Sequence, residues 1–91
     1  MSSSDNDNDA AFAHEKLLEA VENQLAAGSP AAAQATLNKL TLVGYERDDS
    51  LDLMAQVLAY HINEMLEQDA AFDVDAYEQS LRNLPDLPDK E

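Results

Sequence analysis

Cysteine is absent from this sequence. That excludes disulfides, thiolate chemistry and cysteine-based zinc sites, and it fits a cytosolic location. Glycine occurs only twice, at Gly28 and Gly44. Both read as helix stops, so no glycine-rich phosphate cradle is available. No apolar run approaches the roughly 20 residues of a membrane span. The opening MSSSDNDND is acidic where a signal peptide would be basic, and no apolar core follows it. The chain is therefore expected to be cytoplasmic. Basic residues are scarce: five Lys and Arg face nineteen Asp and Glu, a formal net charge of −14. Such an excess argues against direct binding to nucleic acid or an anionic membrane, both of which are polyanions.

What is present is helical. Ninety-one residues make one domain. A chain this small buries only about 60% of its unfolded surface, so its stability is modest. The stretch Leu51 to Leu66, LDLMAQVLAYHINEML, is the longest amphipathic run. At helical spacing its apolar positions, from Leu51 and Met54 through Val57, Leu58 and His61 to Ile62, Met65 and Leu66, fill an arc of roughly 200°. An ordinary surface helix needs about 100°, so this one is expected to have neighbours on two sides. Leu53 and Tyr60 fall outside the arc, two turns apart on one line. Asp48, Asp49 or Ser50 is expected to cap the helix.

The other helices follow from the same periodicity. Residues 1–9 lack apolar content and are expected to be disordered. Their alternating Asp5, Asp7 and Asp9 do not open a calcium loop, because Ala10 and Lys16 stand where Gly and an acid are needed. A first helix is expected over about 10–27, with Ala10, Ala13, His14, Leu17, Leu18, Val21 and Leu25 on one face. Gly28 ends it, Ser29 caps the next, and Pro30 suits a first helical position. So tight a turn implies that the first two helices pack antiparallel. The second, about 30–43, buries Ala33, Thr36, Leu37, Leu40 and Val43 and turns Leu42 outward. Gly44 and Tyr45 match a Schellman ending. The third covers about 48–68. The fourth, about 73–84, starts at Asp73, with Phe72 and Tyr77 spaced as a hydrophobic staple; Val74, Tyr77, Leu81 and Leu84 then share a face. Pro85 stops it, and residues 85–91 form an extended tail. The fold expected is all-α, a compact bundle of four helices with the third in the middle.

Several of these features resemble a family of small uncharacterised bacterial all-helical proteins. They are the Gly28-Ser29-Pro30 turn, Leu37-x-x-Leu40, Gly44-Tyr45, an acidic helix start, Val57-Leu58-Ala59, Phe72-Asp73, Tyr77 and Leu81-x-x-Leu84-Pro85. The resemblance covers roughly residues 28–88. Glu46 departs from it, standing where a capping Ser or Asp is expected. It implies the fold and supplies no catalytic residue. Locally, Asp49-Ser50-Leu51-Asp52 also resembles the modification site of acyl carrier proteins, in which the serine carries phosphopantetheine. The short connection from Asp69 to Phe72 departs from that pattern.

No catalytic or metal motif stands out. His14 and His61 both lie on apolar faces and read as structural. His61-x-x-Glu64 has no evident third ligand, whereas structural zinc takes four. Ser, His and Asp are present without a nucleophile elbow. The chain is expected to be non-enzymatic, with no cofactor and no metal, and to bind another protein or itself, the latter as a homodimer. The alternatives are an acyl-carrier-like protein modified at Ser50 and a nucleic-acid mimic that fills a basic groove on a protein. Leu42, Leu53 and Tyr60, apolar but outside the buried faces, are the candidate interface.

Overall fold

The computed structural model describes the backbone of residues 2–88 and the side chains of residues 13–88. The tail expected at 1–9 lies outside the fully described residues. Four helices account for the fold, and no strand occurs among the described residues. They are α1 (Ser2–Ala27), α2 (Ala31–Leu42), α3 (Arg47–Gln68) and α4 (Val74–Asn83). No described helix is long and apolar enough to cross a membrane.

As expected of the widest apolar arc, α3 is central and packs against all three other helices. The core joins Val21 of α1, Ala33, Leu37 and Leu40 of α2, Leu51, Met54, Val57 and Leu58 of α3, and Tyr77 and Leu81 of α4, with Leu84 just beyond. Leu40, Met54, Leu81 and Leu84 are fully buried. Truncating one of these leucines to alanine is worth roughly 2–5 kcal/mol, a large share of the 5–15 kcal/mol typical of a folded domain.

The most extensive helix pair is α1 with α3, and the slightest is α1 with α2. Glu22 pairs with Arg47, while His14, earlier in α1, meets Asp52, later in α3, at 3.0 Å. In parallel helices those residue offsets would separate His14 from Asp52 by about 20 Å along the axis. The two helices therefore run in opposite senses. The expected antiparallel packing of α1 on α2 is thus not the main contact of α1, despite the tight turn between them.

Three helices end in the same way. Ser29 N–H donates to Gln24 C=O and Gly28 N–H to Leu25 C=O, both at 3.2 Å. Tyr45 N–H donates to Leu40 C=O at 2.9 Å and Gly44 N–H to Thr41 C=O at 3.1 Å. These are Schellman pairings, with Gly28 at φ +72° and Gly44 at φ +104°. At the end of α3 Ala70 N–H donates to Met65 C=O at 3.2 Å, but the left-handed residue is Asp69, at φ +52°.

Helix starts differ more from expectation. Pro30, not Ser29, occupies the cap position of α2. The cap of α3 is Glu46, whose side chain makes no capping bond, so Asp48, Asp49 and Ser50 lie inside the first turn. Arg47 instead ties that turn to α1 through a forked pair with Glu22, at 3.0 and 3.2 Å. The start of α4 is as read: Asp73 accepts from Ala76 N–H at 3.1 Å, and the Phe72 and Tyr77 rings meet edge to face at 5.5 Å. Val43 and Val74, both expected inside, are 61% and 49% exposed. Val43 sits at the C-cap, where the backbone has left helical geometry (φ −88°, ψ 8°). Val74 is the first residue of α4. Beyond α4 the chain turns once more, Asp86 N–H donating to Asn83 C=O at 3.0 Å, before Leu87 and Pro88.

Candidate functional site: an apolar groove between α1 and α3

The wide arc of α3 is not fully covered. Toward its C-terminal end Leu58, Ala59, Ile62 and Leu66 line one wall of an open groove of about 490 Å³, and Ala13, Leu17 and Ala20 of α1 line the other. Each wall follows the helical 3–4 residue spacing, so one straight channel forms between two rods. Leu66 is 68% exposed, although its place on the arc reads as interior. Ala59, Ile62, Leu17 and Ala20 are half-buried. Lys16 and Asn63 also line the groove, and each holds a carboxylate. Glu19 Oε1 lies 3.6 Å from Lys16 Nζ, and Asn63 Nδ2 donates to Glu67 Oε2 at 3.3 Å. The floor is apolar, Lys16 is the one charged side chain that lines it, and Glu19 and Glu67 lie just outside the lining.

The three residues expected to form one interface are placed differently. Leu42 is 86% exposed at the end of α2, beside an open hollow with Thr41, Tyr45 and Arg47. Leu53 is half-buried and packs against the core. Tyr60 is half-buried and lines a hollow with Gln56, Leu87 and Pro88. Leu42 and Tyr60 line different hollows. The arc gives direction only, so it does not reveal that Leu66, Ile62 and Ala59 reach the surface. Its excess width was the available signal.

A second cleft, of about 220 Å³, is lined by Tyr60, His61, Glu64, Asp73 and others at the junction of α3 and α4. His61 is buried, and its Nε2 is 2.8 Å from Ser80 Oγ. Its ring meets Tyr60, Phe72 and Tyr77 edge to face at 5.1 to 6.5 Å. Burial holds the imidazole below its usual pKa; Asp73 and Glu64 oppose that without reversing it. The Ser80 partner was invisible in the sequence, since nothing links residues nineteen apart on different helices. A serine bonded to a histidine suggests nucleophilic chemistry, but Ser80 does not line the cleft. The pair satisfies a buried polar ring against a neighbouring helix. Beside it Tyr77 Oη donates to Gln24 Oε1 at 2.8 Å, and burial raises the phenol's pKa. His14, expected on an apolar face, is half-exposed against Asp52. Among the described residues no three His, Asp or Glu side chains converge as a metal would require.

Ser50 is fully buried, and its Oγ has no hydrogen-bond partner. Compared with known protein families, characterised proteins and solved structures, the chain matches none.

Proposed function

We propose that this chain is a small, acidic, non-enzymatic module that binds another protein through the α1–α3 groove. The observation that carries this reading is Leu66, a large apolar side chain 68% exposed at the end of a continuous apolar channel. Scattered exposed leucines are ordinary on any surface. A leucine that prolongs a two-walled groove is a different feature, because a guest can cover it together with Ile62 and Leu17 in one step. The likeness to small bacterial all-helical proteins and a cytoplasmic setting belong to the same proposal.

Neither alternative has equal support. A phosphopantetheine carrier needs a serine hydroxyl that a transferase can reach, and Ser50 is 0% exposed. A nucleic-acid mimic draws support from the charge of −14, and it predicts binding that collapses as salt screens the carboxylates. An apolar groove predicts binding that salt weakens but does not abolish, with a negative heat-capacity change. The test is capture of partners from native cytosol by wild type, Leu66→Glu and Leu42→Ser, at low and high salt. The proposal expects captured protein that survives salt and is lost only with Leu66→Glu. Capture lost to salt and indifferent to Leu66 supports the mimic instead.

A further inference from the structure

We infer that the guest of the α1–α3 groove is a cationic amphipathic helix of a partner protein, an inference that rests on the docking reading above. The walls set the shape. Residues 13–20 span about 10 Å of axis and residues 58–66 about 12 Å, enough for two turns of a helix lying along the channel. Ala13, Ala20 and Ala59 keep parts of the walls low, which lets a guest backbone come close. Such a guest presents apolar anchors at i, i+3 or i+4, and i+7.

The banks set the charge. Glu19 pairs with Lys16 at one edge of the groove and Glu67 accepts from Asn63 at the other, so carboxylates flank the apolar floor without lining it. Lysine or arginine flanking the guest's apolar stripe can lay its alkyl stem over the bank and bring its charge to these acids. The same charge disfavours a second copy of this chain, because two partners each at −14 repel. Electrostatic attraction then sets the approach, and the apolar floor sets the residence time.

The test uses two labelled synthetic peptides, one of Leu and Lys at heptad spacing and one with Glu in place of every Lys. Each is titrated with the full chain and followed by fluorescence anisotropy. The Leu/Lys peptide is expected to bind one to one, at least tenfold tighter than the Leu/Glu peptide. Leu66→Glu should weaken it at least tenfold, and Glu19→Gln with Glu67→Gln should flatten its salt dependence. The sign at Leu66 is decisive. The variant adds a carboxylate at an exposed position, so a merely general attraction between polyanion and polycation would become stronger. Equal binding of both peptides overturns the cationic guest and leaves the groove as a docking site. Binding of the Leu/Lys peptide unchanged or tightened by Leu66→Glu overturns both readings. A dimer in sedimentation that Leu66→Glu disperses gives the groove to a second copy and overturns the inference.

Discussion

Asp69 is the one described residue other than glycine with positive φ, at +52°, and it stands where Gly28 and Gly44 stand in the other two Schellman endings. Two costs meet there. A left-handed residue with a Cβ is strained by roughly 1–2 kcal/mol, somewhat less for Asp, which tolerates this region. A carboxylate at the negative end of a helix is also unfavourable, by about 0.3–1 kcal/mol at a surface. Asp69→Gly removes both, but it also loosens the unfolded chain, which costs about 0.4–1 kcal/mol. The balance is a gain of about 0.5–1.5 kcal/mol. For a domain of this size each kcal/mol moves the melting temperature by about 4–8 °C. Urea and thermal unfolding read the change directly. Asp69→Asn separates the two costs, since it keeps the tolerance for left-handed geometry and drops the charge. It should deliver only the dipole share. If Asp69→Gly melts at or below wild type, the left-handed geometry costs less than the entropy glycine introduces, and the account of this helix end is wrong.

Ser50→Ala should be neutral or stabilising, by up to about 1 kcal/mol in chemical denaturation, because it deletes a buried hydroxyl that has no partner and improves helix propensity. A loss above that size would reveal a bond to Ser50 that the structure lacks. His61 titrates below its usual value in the folded chain, so its neutral form stabilises the fold above the unfolded pKa near 6.5, and that contribution is lost as pH falls toward the depressed folded value. His61→Leu should therefore flatten the fall in stability as pH drops below the unfolded value near 6.5, whereas a profile identical to wild type would show that the ring protonates without penalty. Moderate NaCl should raise the melting temperature by screening the repulsion among nineteen acids; a falling response would mean that pairs such as Arg47 with Glu22 outweigh it.

The parts of this fold legible in the sequence are those decided within a few residues. The Phe72 and Tyr77 staple around Asp73, and the glycine stops at 28 and 44, depend on local backbone chemistry, and the structure has all of them in place. The start of α3 at Arg47 falls within one residue of the expected 48, but its cap is Glu46 rather than Asp48, Asp49 or Ser50, all better capping residues, and the tie from Arg47 to Glu22 crosses twenty-five residues that no local rule sees. Val43, Val74 and Leu66 share a different cause. Helical periodicity gives a direction around an axis, not how far along that axis a neighbour reaches. All three lie at or near helix ends, on lines read as interior, and all three are exposed. That geometry also explains the candidate site. Leu53 and Tyr60 stand out because they break the periodic pattern, yet both are half-buried. Leu66 obeys the pattern and is exposed.

The central claim is that a guest seats in the α1–α3 groove. Its most direct test is an amide chemical-shift titration of the full chain with the Leu/Lys peptide. The account predicts saturable shifts confined to residues 13–20 and 58–67, with α2 and α4 still. Shifts centred on the hollow beside Leu42, or spread evenly over the acidic surface, would contradict it.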